Sequence, residues 1–507
     1  MGATGNRAIV LGADIEALAA AATLAQSGLE VHLIDRFEQP GGVARPVEIH
    51  PGHRVPGLLH ETSLVRRGLL THLQLEKYGL DWRREERALH VGNGDGKLLT
   101  IARSSVDSDS DAQSYKKWRG FVDKLAPLIV DILDSEPPES RDPGMKEMLD
   151  LAKTGIKLRA LGKADMMELL RIVTMPAWDW MEECFEDPAL RAGLTALVLP
   201  GTVIGPRAAG TTAMMLMREA ARGLEPIGGL AAVSKALASC CTKLGVTMHL
   251  GVAPARIQTS GAAIPAVTGV ELENGEIIET AIVLSTLDPQ MSLLELVHPG
   301  VIPHHVEAQV QSWRTRGSSA VHLLALSKPA ALPGQAERLL TASSPLELER
   351  AADALKYGEL PESPWLDVRD WTAGDSDCAP DGRATLSVHV HGVPHELKGG
   401  WTDGSRSQLR EQILTCLEPL IPDLRSCLVA DELLTPVELE QGFGLRGGHI
   451  YGGEQVLDQL WVQRPSLALC RYESPVEGLF MGGAANHPGG PFVGGAGVLA
   501  ARRALRR

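Results

Sequence analysis

The sequence predicts an α/β fold in which a parallel-sheet domain is interrupted by an α+β domain. Three observations predict it: a β-α-β pattern opens the chain at residues 8–35, the same alternation returns at Gly228, and a glycine-rich loop leads into a last helix near Ala496. Strands that alternate with helices build parallel sheets, because each crossover between parallel strands needs a connecting helix. The residues between these three segments are then available for a second domain.

Length and charge set the first limits on function. A chain of 507 residues suggests more than one domain, and its formal charge of −14 argues against nucleic-acid binding and against electrostatic docking on anionic membranes. The seven cysteines have no C-x-x-C spacing, which favours reduced thiols in a cytoplasmic protein over a zinc or dithiol site. The most apolar stretch, residues 8–28, carries Asp14 and Glu16 and is not a membrane span. The final "ARRALRR" is interpreted as the cationic end of a helix.

The first 35 residues predict a dinucleotide site. "AIVLG" is typical of a buried parallel strand that ends at Gly12, "IEALAAAATLAQS" favours a helix, and "EVHLID" is a second strand that ends at Asp35. In such a unit the helix N-terminus receives a pyrophosphate, and an acidic residue after the second strand binds a ribose.

One position departs from the usual G-x-G-x-x-G pattern of these units. Gly12 supplies the first glycine and Ala17 is an accepted third residue, but Asp14 stands at the second position, where backbone normally approaches the pyrophosphate. Two like charges about 4 Å apart cost on the order of 1–4 kcal/mol. The carboxylate can be accommodated by capping the helix, or by pairing with a cation such as Arg45. We expect Asp14→Gly to tighten binding.

The next stretch, "DRFEQPGGVAR", strengthens the prediction. Gly41 and Gly42 let the chain pass close to a dinucleotide, although an ordinary turn after Pro40 is the alternative interpretation. Together with Gly12 and Asp35, the pair favours a dinucleotide site over an empty fold.

The middle of the chain predicts structure more than function. Residues 104–114 are expected to form an exposed loop, and residues 115–221 are mostly helical, with Met-rich stretches that favour core packing over a lipophilic pocket. Between residues 301 and 469, strands and helices mix. His389 and His391 share a strand face, with His395 nearby; we interpret them as solvated strand histidines and predict no metal site. No G-x-S-x-G elbow, H-E-x-x-H or P-loop is present.

These patterns divide the chain into two interleaved domains. Residues 1–75, 226–300 and 470–507 are expected to form the dinucleotide-binding domain. Residues 76–225 and 301–469 are expected to form the substrate domain, with a helical insertion.

The C-terminal segment "GLFMGGAANHPGGPFVGGAGVLAARRAL" predicts a strand, a loop with little side-chain bulk and a helix. Such a loop lets flat or anionic groups approach backbone N–H groups. With "PGGVAR", "IGGLAAVSKALA", "PHELKGGW" and "GFGLRGGHIYGGEQVLDQLWVQRP", it resembles the phytoene desaturase-related FAD-dependent oxidoreductases across nearly the whole chain. Within that group the chain is most similar to the non-carotenogenic branch of pyridine nucleotide-disulphide oxidoreductase domain-containing proteins.

The resemblance implies a Rossmann-like FAD-binding domain of the amine oxidase or phytoene desaturase type, and one bound FAD. The residues implied for the cofactor are Gly12, Ala13, Asp14, Ala17, Asp35, Arg36, Gly41, Gly42, Arg45, Val252, Gly482, Gly483, His487, Pro488, Gly489 and Gly490. The resemblance implies that the first of these hold the ADP half and that those from Gly482 onward form the loop under the flavin ring. The candidates for catalysis or the pocket are His487, Arg464, His449 and, less directly, His60; a hydrogen bond to the loop backbone is the alternative role of His487. The chain differs from the family pattern at Asp14, His449, Gly452 and Pro491.

The expected activity is FAD-dependent removal of a hydride from a hydrophobic small molecule that is unsaturated or bears an amine, by desaturation or oxidation. The electron acceptor is open between oxygen, a quinone and a partner protein. Two alternatives stay open: a flavin-assisted, redox-neutral isomerase, and a cofactor-poor member that acts as a scaffold or partner-binding subunit. A pyridine nucleotide enzyme without flavin is disfavoured, since it would not use the C-terminal glycine loop.

Overall fold

The computed structural model describes residues 6–92, 97–139, 144–342 and 344–506, without the side chains of residues 146, 147, 150 and 151. The strands are β1 (Arg7–Leu11), β2 (Glu30–Asp35), β3 (Val47–His50), β4 (His53–Val55), β5 (Leu89–Val91), β6 (Leu99–Ile101), β7 (Thr247–Leu250), β8 (Pro254–Thr259), β9 (Val267–Leu272), β10 (Ile277–Glu279), β11 (Val283–Ser285), β12 (Ser319–Leu326), β13 (Arg338–Leu340), β14 (Leu366–Asp370), β15 (Ala384–His391), β16 (Leu428–Leu434) and β17 (Leu479–Met481).

The α-helices are α1 (Ile15–Gln26), α2 (Arg67–Leu70), α3 (Ala112–Leu133), α4 (Met145–Ala160), α5 (Lys163–Ile172), α6 (Ala177–Cys184), α7 (Pro188–Ala196), α8 (Thr211–Ala221), α9 (Gly229–Lys243), α10 (His304–Gln311), α11 (Pro345–Lys356), α12 (Asp403–Leu417), α13 (Leu424–Cys427), α14 (Pro436–Phe443) and α15 (Ala496–Ala504). The helices α1, α3 to α9 and α15 lie in segments that the sequence predicted as helical. Among the helices of these described ranges, none is long and apolar enough to cross a bilayer.

A five-stranded parallel sheet holds the two ends of the chain together. Its order is β17-β11-β1-β2-β7, so the first strand of the chain lies at the centre and the last strand lies at an edge. Helix α1 crosses from β1 to β2 and is buried along nearly its whole length, because its alanines let α9 and α15 pack closely against it. Gly497 makes the closest approach: a Cβ there would lie 2.0 Å from the carbonyl oxygen of Glu16.

The second large sheet has seven strands in the order β16-β12-β15-β14-β13-β5-β6. Its strands run antiparallel except for the β13–β5 pair. One face, with residues such as Leu366, Val388 and Val390, packs on an apolar core that includes helix α12. The other face is polar, and it covers the segment that follows β4.

One prediction about this sheet is wrong, and the prediction of an exposed loop at residues 104–114 holds only as far as residue 110. His389 and His391 are not solvated: both are buried, because β15 lies between β12 and β14 and both of its faces are covered. The predicted exposed loop at residues 104–114 ends earlier, since α3 begins at Ala112. Asp111, in that loop, is buried, and its carboxylate accepts hydrogen bonds from the N–H groups of Glu186 and Asp187.

The Met-rich segments differ in burial: Met214 and Met215 lie in the core, whereas Met145 and Met148 are exposed.

Candidate cofactor and active site

The carboxyl ends of β1, β11 and β17 meet at one edge of the parallel sheet, where open α/β sheets bind their ligands. The N–H of Thr286 donates to the carbonyl of Leu11 at 2.9 Å, and the N–H of Gly482 donates to Ser285 at 2.8 Å. Gly12 follows β1 and has a φ of +104°, and a Cβ at this position would lie 2.4 Å from the hydroxyl oxygen of Thr286. Only glycine fits this turn.

Asp14 caps helix α1. Its backbone is extended, with φ −72°, and its Oδ1 accepts the N–H of Ala17 at 2.8 Å. Burial raises the pKa of Asp14 to about 6, against the lowering effect of the Ala17 N–H. The helix-capping accommodation is therefore the one that the structure adopts. Arg45 does not serve as its counter-ion, because its guanidinium donates to the carbonyl of Gly442 at 2.7 Å and stacks on Phe37.

Glu16, in the first turn of α1, is a buried carboxylate that the sequence analysis did not single out. Its two oxygens accept the N–H groups of Gly494 at 2.6 Å and Gly497 at 2.8 Å, which surround the start of α15. Burial raises the pKa of Glu16 to about 8, and the N–H of Gly497 opposes that rise. One sequence signal could have revealed it, namely a second charge inside an otherwise apolar helix.

The end of β2 forms the outer part of the site. Asp35 Oδ1 accepts the N–H of Phe37 at 2.8 Å, and the carbonyl of Asp35 accepts the N–H of Val252 at 3.1 Å. Burial raises the pKa of Asp35, while the positive charges of Arg45 and Arg36 lower it. Asp35 and Val252 remain half-buried and Arg36 is exposed, so solvent reaches this end of the site.

The Gly41–Gly42 pair packs directly on the start of α1. The N–H of Gly41 donates to the carbonyl of Ala13 at 2.6 Å. Gly42 has a φ of +55°, and a Cβ on it would lie 2.8 Å from the Cβ of Asp14. The missing side chain at Gly42 thus makes room for the carboxylate that replaces the usual glycine.

The C-terminal loop is enclosed by protein atoms. Every residue from 485 to 501 is buried. A Cβ on Gly489 would lie 2.2 Å from the carbonyl of Asn486, one on Gly490 would lie 2.4 Å from the amide of Gln455, and one on Gly483 would lie 2.1 Å from the carbonyl of Thr286. The loop therefore needs its glycines to pack against the rest of the chain.

His487, in this loop, is buried and neutral. Its Nε2 bonds to the carbonyl of Ile132 at 2.9 Å, and burial lowers its pKa to about 4. Its Nδ1 has no hydrogen-bond partner within the described residues. Tyr472 donates to the carbonyl of His487 at 2.9 Å and fixes the backbone. Pro488 packs near Gly495, at the entrance to α15.

Arg464 ties the loop to the segment before it. It is completely buried, and its guanidinium donates to the carbonyls of Ala484 at 2.8 Å and of Glu454 and Gln459 at 3.1 Å. Burial lowers its pKa to about 9. Its Nε has no partner within the described part of the chain. The site thus contains a buried cation that is bonded to carbonyl oxygens.

His449 lies beside this cation rather than facing an open pocket. Its Nε2 bonds to the carbonyl of Gly201 at 3.2 Å, and its Nδ1 accepts the N–H of Gly453 at 3.1 Å. Burial lowers its pKa to about 4. In this arrangement His449 orders the turn that leads to Gln455.

His60 belongs to a polar cluster between the two sheets. Its Nδ1 is 3.2 Å from Oδ1 of Asp367, its Nε2 is 2.6 Å from Oγ of Ser387, and its ring stacks on His389 with centroids 3.7 Å apart. The sequence analysis missed Asp367 and Ser387. Their signal was the period-two polarity of "LDVRD" and "ATLSVHVH", which marks a second buried face rather than a solvated one.

This cluster has the spacing of a metal site but not the chemistry of one. His60, Asp367 and His389 place one ligand atom each within 4.8 Å of one another. However, Arg338 donates to both oxygens of Asp367, at 3.0 and 2.8 Å. The two imidazole planes are only 16° from parallel, so their in-plane lone pairs do not converge on one ion. The arrangement is an ion-pair and hydrogen-bond network.

Comparisons with known proteins agree with this geometry. A Rossmann-like NAD(P)-binding domain model matches residues 10–63, and a flavin-containing amine oxidoreductase model matches residues 64–505. The chain belongs to the family of flavin-containing amine oxidoreductases. This confirms the predicted fold class, with its Rossmann-like domain, and indicates FAD as the cofactor.

Individual relatives confirm the resemblance stated from the sequence. The chain is 28% identical to pyridine nucleotide-disulfide oxidoreductase domain-containing protein 2 of Rattus norvegicus, over 98% of this chain and 93% of the relative. It is 24% identical to a zeta-carotene-forming phytoene desaturase of Myxococcus xanthus, over 96% and 90%. Cyclohexylamine oxidase from Brevibacterium oxydans shares the fold, with a TM-score of 0.57 at 16% identity, over 99% and 98%.

The residues of the site fit FAD unequally. At the end where the resemblance implies the ADP half of FAD, here called the nucleotide end, the turn at Gly12, the acid at Asp35 and the half-buried Gly42 match what a dinucleotide needs, apart from the Asp14 carboxylate. At the end where the resemblance implies the flavin ring, here called the flavin end, residues 485–501 are buried, and the loop glycines Gly489 and Gly490 pack against Arg464 and Gln455. The predicted cofactor residues therefore lie along one edge, but those at the flavin end contact protein on all sides.

Proposed function

We propose that the chain removes a hydride from a C–H bond of a hydrophobic small molecule that is unsaturated or bears an amine. The observation that carries this proposal is the meeting of the Gly12 turn, the Gly41–Gly42 segment and the C-terminal loop at the carboxyl edge of the parallel sheet. Bound FAD supplies the hydride acceptor. Oxygen, a quinone and a partner protein are the candidate electron acceptors.

The chain's own residues bind, orient and exclude water. Arg464 ties the C-terminal loop to the preceding segment by donating to the carbonyl oxygens of Ala484 and Glu454. His487 keeps a neutral imidazole there, and its Nδ1 is the polar atom that can hold or accept a proton beside the loop. A buried site strengthens each of these interactions because little water screens them.

The substrate side of the proposal rests on two neighbouring sets of side chains, one polar and one apolar. The polar face of β14 and β15 brings Asp367, Ser387 and His389 against the segment that contains His60. Trp118, Trp180 and Met215 belong to an apolar core that extends from the helical insertion. A mainly apolar molecule with one polar or ionisable group suits such a boundary. The names of two similar proteins fit this description, since one structural neighbour is a cyclohexylamine oxidase and one relative is a phytoene desaturase.

The test is anaerobic reduction of protein that has been fully loaded with FAD. Absorbance near the flavin maximum is followed after adding one panel of aliphatic amines and one panel of unsaturated hydrocarbons. We expect bleaching by members of one panel. Fully loaded protein that neither panel bleaches, while dithionite does, would contradict the proposal.

A matched pair of histidine variants locates the chemistry. His487→Asn keeps a hydrogen-bonding group at the loop, and we expect it to slow reduction by substrate without changing flavin content. His298→Asn changes an exposed histidine outside the loop, whose ring bonds to the carbonyl of its neighbour Pro299, and we expect no effect. Equal rates for both variants would remove His487 from the mechanism.

A second candidate, a scaffold or partner-binding subunit with little flavin, is favoured by one observation. The carboxylates of Asp14 and Glu16 occupy backbone N–H groups at two helix starts that face the cofactor edge. Protein that stays colourless after incubation with FAD at every pH tested would support this candidate over the oxidoreductase.

A further inference from the structure

Helices α1 and α15 begin at the same edge of the parallel sheet, and each start is already bound by a carboxylate of the chain itself. Asp14 Oδ1 accepts the N–H of Ala17 in the first turn of α1. Glu16 accepts the N–H groups of Gly494 and Gly497 around the start of α15. A helix N-terminus attracts anions because its first N–H groups have no partner within the helix. In this chain, those N–H groups already bind the carboxylates of Asp14 and Glu16.

No cation offsets either carboxylate within the described residues. Asp14 faces Asp35 at the end of β2, and the hydroxyl of Thr286 after β11 is its polar neighbour there. The nearby guanidiniums of Arg45 and Arg36 act on Asp35. Glu16 faces Asp14 on its own helix and Tyr472 before β17. An incoming pyrophosphate would therefore meet uncompensated negative charge.

We propose that Asp14 and Glu16 are internal competitors of FAD, so that the chain folds without the flavin and binds it weakly until these carboxylates are displaced or protonated. This inference rests on the proposed function, since it takes FAD as the ligand of the site. It also accounts for the enclosed C-terminal loop. The carboxylate of Glu16 occupies the N–H groups at the start of α15, and the loop glycines pack against protein atoms.

The two carboxylates act at different ends of the site. Asp14 lies beside Gly42 and Asp35, at the nucleotide end. Glu16 is bonded to the C-terminal loop, which the family resemblance places under the flavin ring. Removing Asp14 is therefore expected to help ADP and FAD alike, whereas removing Glu16 is expected to help FAD and leave ADP unchanged.

The experiment measures dissociation constants of FAD and of ADP for the full chain by flavin fluorescence and calorimetry at pH 9, above the pKa of about 8 that burial gives Glu16. The variants are Asp14→Gly, Glu16→Gly and the double variant. Removing each carboxylate is expected to lower the dissociation constant of FAD on the order of tenfold. The reason is that repulsion between two like charges about 4 Å apart changes an equilibrium constant by about one to a few factors of ten. Gly at an N-cap costs the helix only a few tenths of a kcal/mol relative to Asp, so Asp14→Gly should still fold.

Charge-neutral variants separate charge from bulk. Asp14→Asn keeps the helix cap and Glu16→Gln keeps an acceptor for one N–H, so both test the charge with the fold preserved. Glu30→Gln, an exposed carboxylate in the same β-α-β unit, is the matched control and should leave both dissociation constants unchanged. Circular dichroism identifies any variant that fails to fold.

Three results decide the matter. The proposal is supported if the double variant binds FAD more tightly and if the affinity for ADP rises only in the variants that lack the Asp14 carboxylate. Wild-type protein that retains one FAD per chain through gel filtration at pH 9, where both carboxylates are ionised, overturns it. Folded variants that bind FAD no better than the wild type also overturn it. These readouts need no turnover, so a substrate screen that fails would count against the proposed function and not against this inference.

Discussion

The two ends of the cofactor edge are built on different principles. At the nucleotide end, Asp14, Asp35 and Gly42 are half-buried, and charge governs what can bind there. At the flavin end, residues 485–501 are all buried, and packing and hydrogen bonds to carbonyl groups govern the structure. We therefore expect substitutions at the flavin end to change the free energy of unfolding most. Substitutions at the nucleotide end should instead change the affinity for the nucleotide and its pH dependence.

Arg464→Met provides the largest test of that contrast. It removes the donor to the buried carbonyls of Glu454 and Gln459 and to the partly buried carbonyl of Ala484. Hydrogen bonds from a charged donor contribute about 1.5–3 kcal/mol each, and recovering the desolvation cost of the cation returns part of this. We expect a loss of about 3 kcal/mol in the free energy of unfolding, measured by urea denaturation.

Arg425→Met is the control for that variant. Arg425 is a surface arginine paired with Glu411 and Glu418, and such pairs contribute little. We expect its urea midpoint to match the wild type. Equal midpoints for both arginine variants would mean that the flavin end is not held by Arg464.

The second test adds one methyl group to the loop. In Gly483→Ala the new Cβ would lie 2.1 Å from the carbonyl oxygen of Thr286, which is backbone and cannot give way cheaply. Overpacking of this kind costs about 1–3 kcal/mol. Gly155→Ala, on helix α4 with nothing within 4 Å of its Cβ, should instead stabilise by somewhat under about 1 kcal/mol. Thermal midpoints that move the same way would show that the loop has room.

Local patterns in the sequence predicted most elements of the fold. The runs "AIVLG", "EVHLID" and "GLFMGG" became β1, β2 and β17, and the helical periods gave α1, α9 and α15 within a few residues. These signals are local: hydrophobic period, glycine position and strand length. The residues implied by the family resemblance then fell along one sheet edge, although their contact with a cofactor stays a prediction.

Long-range pairs could not be predicted in the same way. Glu16 meets Gly494 across 478 residues, and Arg338 meets Glu61 across 277. No periodicity encodes such a pairing, because it depends on which helices and strands become neighbours in the folded chain. The solvated histidines failed for the same reason: alternation shows that His389 and His391 share a face but not what covers that face.

The third test concerns pH. Burial raises the pKa of Glu16 from 4.5 to about 8 in the folded chain, so the folded state binds a proton that the unfolded state releases. The contribution of Glu16 is therefore fully present below pH 4.5 and is lost as pH rises toward about 8. We expect the urea midpoint of the wild type, relative to Glu16→Gln, to fall across this range. Parallel curves would mean that the Gly494 and Gly497 N–H groups keep Glu16 ionised throughout.

The smallest effect is expected at the nucleotide end, from Arg45→Ala. Arg45 stacks on Phe37 and Phe443 with its guanidinium carbon 4.3 and 4.7 Å from the ring centres, and it donates to Gly442. Cation–π contacts at such partly exposed sites contribute about 0.5–1 kcal/mol each, so we expect a loss of about 1 kcal/mol in urea denaturation. Arg45→Lys keeps the charge that lowers the pKa of Asp35 but loses the planar stack. If the affinity for ADP falls with Arg45→Ala and not with Arg45→Lys, charge governs binding at the nucleotide end, as the contrast with the flavin end requires. Equal losses of affinity in the two variants would show that packing governs both ends of the site.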